Sequence, residues 1–308
     1  MVIGLMKSRQ KGMRFMKEKR RFRFLGRLLF VLAALCLLPL CREYYLSVEH
    51  QREQKRLKES LLSAEQTITP GRTVTPEGTV MPEGSITPGG APGTEQTGPT
   101  SVPLPTEEPA AEPVMLKRFE RLYAENHDLV AWLSIEGTEI DYPVMQCGDD
   151  EYYLNHSFYR KESKYGCLYV RERADVHTPG TNFIIYGHNM KDGAMFGNLE
   201  LYQKESYFLE HPVISFDTLY EERRYEILAV FRSQVYRQDE NVFQYYQFYE
   251  ADTPEEFASF YQNIKSLSLY DTGVTAEFGD TFLTLSTCAY HVEDGRFVVV
   301  AKRAGRKE

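Results

Sequence analysis

The chain has 308 residues, with 36 Lys and Arg against 44 Asp and Glu, and its formal charge of -8 argues against a basic nucleic-acid binder. Five cysteines with no Cys-x-x-Cys pair argue against a zinc ribbon, a thioredoxin-type site or a disulfide-dense small domain. Hydrophobic content of 42%, with 21 Tyr and 18 Phe, supplies a sizeable core for part of the chain and excludes a wholly disordered protein.

The charge is unevenly spread. Residues 1–27 carry ten basic side chains and one acid, Glu18, which leaves 26 basic against 43 acidic residues for the rest. Such an asymmetry between an arm and a body points to membrane orientation or to an arm that binds anions. The basic arm, residues 1–23, runs into an apolar segment, 24–41, broken only by Arg27. As a helix these 18 residues span about 27 Å, just under the roughly 30 Å hydrocarbon core of a bilayer. No small-x-small cleavage site follows, so the expectation is a retained anchor rather than a removed signal peptide. Leu35 and Leu40 precede Cys36 and Cys41 where a lipid-modified cysteine wants a small residue. Basic flanks stay inside, so the arm is expected in the cytoplasm and everything after 42 outside the cell.

Residues 42–65 are charged and free of Pro and Gly, which predicts a short helical stalk. Residues 66–113 then hold ten of the 15 prolines, in an imperfect six-residue repeat that restarts at Thr69, Thr75, Met81 and Thr87. With so little apolar material the stretch cannot offset its ordering entropy, and a disordered tether is expected. Its reach would be on the order of 150 Å extended, or roughly 40 Å if fully flexible.

Residues 114–308 form the one expected globular domain. Met115, Leu116, Phe119, Leu122 and Tyr123 share a helix face. Short apolar or aromatic runs bounded by turn residues follow at 128–135, 166–170, 182–186, 225–231, 282–287 and 296–301, and read as strands. A second helix is predicted over Pro254–Ile264, capped by Thr253 and opened by Glu255 and Glu256. Many short strands with few helices predict a mostly β domain, a closed barrel with peripheral helices.

Three strand ends carry chemistry. Thr284-Leu-Ser-Thr-Cys288 ends in a thiol, Tyr186-Gly-His188 in an imidazole, and Gly295-Arg296 opens a strand with a guanidinium. Together they are the parts needed for covalent acyl transfer with a stabilised oxyanion. Each also has a plain structural reading as a buried thiol, a solvated ring or an ion-paired Arg. The residues alone do not choose between His188 and His291, which lies three positions from Cys288. His127, His156, His177 and His211 read as loop or surface residues, Cys147 and Cys167 remain an open pair, and no metal-ligand or Ca²⁺ loop pattern is present.

The segments 284–288 and 296–302, with Tyr186-Gly-His188 upstream and the runs 131–146 and 151–156 before it, resemble class B sortases, the membrane-anchored cysteine transpeptidases of Gram-positive bacteria. The resemblance covers essentially all of 114–308 in the family's motif order. It implies the eight-stranded sortase barrel, with a helix-bearing insertion between the sixth and seventh strands at about 237–275. It makes Cys288 the nucleophile, His188 the general acid/base and Arg296 the oxyanion or carbonyl donor. Leu154 and Ser286 fall on positions lining the peptide groove, and Phe243 on an apolar groove position in a loosely aligned loop. Asp150 and Ala289 depart from the polar groups of some relatives, which bears on peptide specificity. The implied partners are secreted proteins bearing an Asn-Pro-x-Thr-like sorting signal and a cell-wall or pilin Lys amine as acceptor. Membrane lipid is expected around residues 24–41, and neither cofactor nor nucleic acid is expected. The competing readings are a purely hydrolytic cysteine protease, an L,D-transpeptidase-like enzyme, whose Ser-His-Gly before the cysteine is absent here, and a non-catalytic wall scaffold.

Overall fold

The computed structural model describes residues 30, 36–64, 113–237, 239–289 and 292–305. The basic arm, most of the expected membrane segment, the repeat stretch and His291 lie outside them. Among the described residues no helix is long and apolar enough to cross a membrane.

Eight strands close into one barrel: β1 (Leu129–Ser134), β2 (Asp141–Met145), β3 (Leu168–Tyr169), β4 (Asn182–Gly187), β5 (Val213–Thr218), β6 (Arg224–Gln234), β7 (Phe282–Cys288) and β8 (Gly295–Arg303). Their order around the barrel is β1-β2-β3-β4-β7-β8-β6-β5. Closure leaves no strand edge to pair with another molecule. Two contacts are parallel, β2 with β3 and β4 with β7. Parallel neighbours need long crossovers. The one between β4 and β7 contains β5, β6 and the insertion that separates β6 from β7.

The alternation along β7 explains its place. Leu283 and Leu285 point into the barrel with Ile185, Phe297 and Val299. Phe282 faces outward and is covered by the insertion, where Phe257, Phe260 and Ile264 of helix α4 (Pro254–Leu267) bury one stripe. Phe248 stacks on Phe260 at 4.1 Å and Phe257 on Phe282 at 5.4 Å. Each fully buried side chain of this size contributes about 1.5–3 kcal/mol. Thr253 caps α4 by accepting from the Glu256 amide, as expected, and the helix runs three residues beyond Ile264. Helix α2 (Lys117–Glu125) buries Phe119 and Leu122 of the predicted face. Strand β5 and the short helix α3 (Glu205–Glu210) are elements not predicted above.

Helix α1 spans residues 36–64 without a break. It does not project as a free stalk: from Leu46 onward one face lies against the barrel. His50, Gln54, Leu57 and Ser60 are buried, Leu57 completely so. The His50 ring stacks on Tyr165 at 4.1 Å and 6°. Burial pushes its pKa down to about 4 against the pull of Asp192, so the docked helix holds a neutral imidazole. Cys147 and Cys167 are both free thiols.

Candidate active site

The parallel ladder between β4 and β7 ends at the pair Gly187 and Thr287. His188 and Cys288 are therefore the next residues out on adjacent strand ends. On the other side of β7, Cys288 is the Cα partner of Arg296 in β8. Three neighbouring strands thus deliver an imidazole, a thiol and a guanidinium to one end of the barrel. The side-chain period puts them on one face as well. Ile185, Leu285, Phe297 and Val299 point inward, which turns the alternate positions 186, 188, 286, 288, 296 and 298 outward. Cys288, His188 and Arg296 are all partly exposed.

Local packing holds each group. At Gly187 a Cβ would lie 2.4 Å from Leu168 Cδ2 and 2.7 Å from Phe196 Cδ2, so the strand approaches its neighbours too closely for a side chain just before His188. His188 Nε2 meets the Leu154 carbonyl at 2.7 Å. A carbonyl only accepts, so Nε2 carries the proton and Nδ1 is left to exchange one. The buried Thr287 hydroxyl donates to the Gly187 carbonyl at 2.7 Å, which stitches β7 to β4 at the final rung. Arg296 Nη1 donates to the carbonyls of Asp294 and Gly295 at 3.2 and 2.9 Å. Its Nε and Nη2 hydrogens have no partner among the described residues.

Tyrosines surround the three groups. Tyr169 stacks on Tyr186 at 5.6 Å. Burial raises the Tyr169 phenol to about 12, with the neighbouring Cys288 adding to and Arg296 opposing the shift. Burial does the same for Tyr245, opposed by its bond to Ser286 and by Arg296. These phenols stay neutral at ordinary pH, so they shape and partly dry the site rather than charge it. A cavity of about 770 Å³ continues along the outer face of β4, lined by Asn182, Ile184, Tyr186, Arg171 and Tyr249 among others. Arg171 lies over the Tyr186 ring at 5.4 Å and donates to the Tyr249 hydroxyl at 2.9 Å. The described residues contain no group of His, Cys, Asp and Glu that could hold a metal ion.

The expected peptide-contacting residues divide. Leu154 is beside the site, and its carbonyl orients His188. Ser286 is outward-facing but only 1% exposed, because Tyr245 from the insertion covers it with a 2.7 Å hydroxyl contact. Phe243 packs on Phe260 at 5.7 Å and lines a separate hollow with Val242, Gln244 and Gln247. Of the other histidines, His156 stacks on Tyr152 and His211 contacts the Glu136 carbonyl, as plain loop residues do.

One residue that sequence reasoning missed is Asn189. Its Nδ2 donates both to the Cys288 carbonyl at 2.8 Å and to Glu200 Oε1 at 2.9 Å. It continues by side chain the strand pairing that the backbone ends at Gly187, and so spaces His188 from Cys288. Its position directly after the histidine was the available signal. Loss of such a bond costs about 1–1.5 kcal/mol, or roughly tenfold in rate where geometry limits the step. Asn189→Ala is therefore expected to lower kcat about tenfold with KM nearly unchanged in steady-state peptide cleavage. A variant with unaltered kcat would remove Asn189 from the site's support.

Residues 133–304 match the Sortase domain family model. Sortase B of Listeria monocytogenes is 35% identical over 181 residues, covering 58% of this chain and 70% of the relative. Sortase B of Staphylococcus aureus is 31% identical over 187 residues, covering 60% and 74%. Among solved structures, sortase B from Bacillus anthracis in complex with AAEK1 superposes with a TM-score of 0.56 at 33% identity, covering 65% of this chain and 90% of that one. With a barrel of that shape, and with thiol, imidazole and guanidinium on three adjoining strand ends, the chain belongs to the sortase family as a class B sortase, a cysteine transpeptidase.

Proposed function

We propose that this sortase cuts secreted proteins at a C-terminal sorting signal of the Asn-Pro-x-Thr type and joins the Thr carbonyl to an amine of the cell wall or of another protein. The observation that carries the reading is the pairing of Cys288 with Arg296 across β7 and β8, with His188 at the end of the adjoining parallel strand. In keeping with action on a bound substrate, a Staphylococcus aureus sortase B–substrate complex is similar to this chain, with a TM-score of 0.56 at 29% identity, covering 63% of this chain and 87% of that one.

The chemistry follows from the three groups. Cys288 Sγ passes its proton to His188 Nδ1 and attacks the Thr carbonyl carbon, whose C=O π pair moves to the oxygen, which takes on negative charge. The Arg296 guanidinium stabilises that oxyanion in a partly dry groove. His188 gives a proton to the departing backbone amine, the C–N bond breaks, and a thioester on Cys288 remains. A second amine then attacks, loses a proton to His188, and leaves with the acyl group while the thiolate is restored. The acceptor amine is a wall precursor, peptidoglycan or pilin Lys. The apolar segment 24–41 anchors the protein so that the barrel is extracellular, where such substrates and acceptors emerge.

Incubation of the enzyme with an Asn-Pro-x-Thr peptide library and a wall-like diamine tests both halves. Mass spectrometry is expected to find the Thr-terminated fragment linked to the amine. Release of free acid alone at saturating amine would replace the transpeptidase reading with a hydrolase for this substrate pair.

A further inference from the structure

We propose that Arg171 is a specificity-determining residue that selects substrates with Asp or Glu immediately before the Asn of the Asn-Pro-x-Thr motif, a role that rests on the sorting-signal reading. The cavity of about 770 Å³ has Asn182, Ile184 and Tyr186 of β4 as its floor. The 171–180 loop forms one wall, and Tyr249 and Glu250 of the insertion form the other. Both walls are fixed. Gln146 Nε2 lies 2.9, 3.2 and 2.6 Å from the carbonyls of Arg171, Glu172 and Ala174. The Asn182 amide donates to the Tyr249 carbonyl at 2.9 Å. At Gly180 a Cβ would lie 2.4 Å from Glu250 Oε2 and 2.7 Å from the Tyr249 carbonyl oxygen, so the two walls meet there.

Strand register sets which substrate residue comes beside Arg171. β3 and β4 are antiparallel with Tyr169 opposite Tyr186, so two residues further on Arg171 is level with Ile184. Ile184 precedes His188 by four residues, about 13 Å of extended chain. A substrate with its Thr at Cys288 covers the same length in four steps, back through x, Pro and Asn to the residue before them. Laid along the β4 floor, it brings that residue to Arg171.

Arg171 is a cation without an acid. Its guanidinium, held by the Tyr186 ring and the Tyr249 hydroxyl, is partly exposed and forms no ion pair among the described residues. Asp150 attracts it without a hydrogen bond. The cavity's carboxylates are bonded elsewhere: Asp150 accepts from the Glu172 amide, Asp175 from Thr178 and Glu250 from Thr181. Only Glu172, on the exposed rim, is left over. These four acids outnumber Arg171 and Arg173 on the lining, so the general field opposes an incoming acid. Direct pairing with the Arg171 fork overcomes it, which confines the preference to one substrate position.

Cleavage of three peptides with Glu, Gln or Lys before the motif Asn, x being held constant, tests this with the full-length enzyme in detergent. Wild type is expected to favour Glu over Gln by about fivefold in kcat/KM, with Lys last. Arg171→Gln is expected to bring Glu and Gln within about twofold, and Arg171→Glu to put Lys ahead of Glu. A merely structural role would slow all three peptides alike in both variants and keep their ratios, which would overturn the inference. Equal cleavage by wild type would do the same, and so would a wild-type preference for Lys, which would give selection to the carboxylates. If wild type cuts none of the three, the sorting-signal reading itself fails and takes this inference with it.

Discussion

Replacing Cys288 by Ala is expected to abolish both cleavage and ligation, by about 10⁴-fold or more, while leaving the fold intact. The sulfur is the only nucleophile that the three strand ends supply. Cys288 is the last residue of β7 and partly exposed, so the substitution removes little buried surface. The barrel interior beside it, with Leu285 and Phe297 fully buried, is untouched. The expected result therefore separates chemistry from stability: an unchanged thermal midpoint with no measurable product. Acid quenching of wild-type reactions should also trap a thioester adduct of substrate mass, and the variant should show none. Residual turnover above about 1% of wild type would sink the assignment of the nucleophile, because removing the attacking group of a covalent mechanism leaves far less.

The second large effect concerns Arg296. Removing an oxyanion donor costs about 10²–10³-fold in kcat. Arg296→Ala is expected to fall in that range, with a smaller change in KM. Its Nη1 also holds the Asp294 and Gly295 carbonyls, so part of any loss could come from a loosened turn between β7 and β8. Two companion variants divide the causes. Arg296→Lys keeps the charge without the planar fork and is expected to recover part of the rate. Arg296→Gln keeps hydrogen-bond donors without charge and is expected to remain close to the Ala variant. If Gln restored activity to within about threefold, charge stabilisation of the oxyanion would no longer account for the residue.

What made the site legible was the coincidence of strand ends with reactive side chains. Short β-branched runs ending in Gly187-His188 and Thr287-Cys288, and one beginning at Gly295-Arg296, place these residues at barrel rims once the runs are taken as strands. That His188 rather than His291 belongs with Cys288 came from the family likeness, because strand neighbours are not adjacent in sequence. The parallel pairing of β4 with β7 puts His188 on the strand end beside Cys288, while His291 lies outside the described residues. Ser286 shows the limit of alternation: period two correctly turns it outward, but it cannot reveal that Tyr245, 41 residues upstream, closes over it. Strand β5, Val213-Ile-Ser-Phe-Asp-Thr218, went unpredicted because its polar positions break up a short apolar signal. Helix α1 was foreseen as a helix but not as a docked one. Its buried face includes His50, Gln54 and Ser60, so the stripe that meets the barrel does not look apolar.

The unbroken course of α1 from 36 to 64 bears on more than distance. On the proposed membrane reading, its exposed first residues continue the anchor, and its later turns are bolted to the barrel. Each residue of a helix advances about 1.5 Å and turns about 100°. The bearing of the catalytic rim relative to the lipid plane is then a compass setting written in residue number, and adding or deleting a single position near the bilayer would swing the rim to another quarter of the horizon while hardly changing its height.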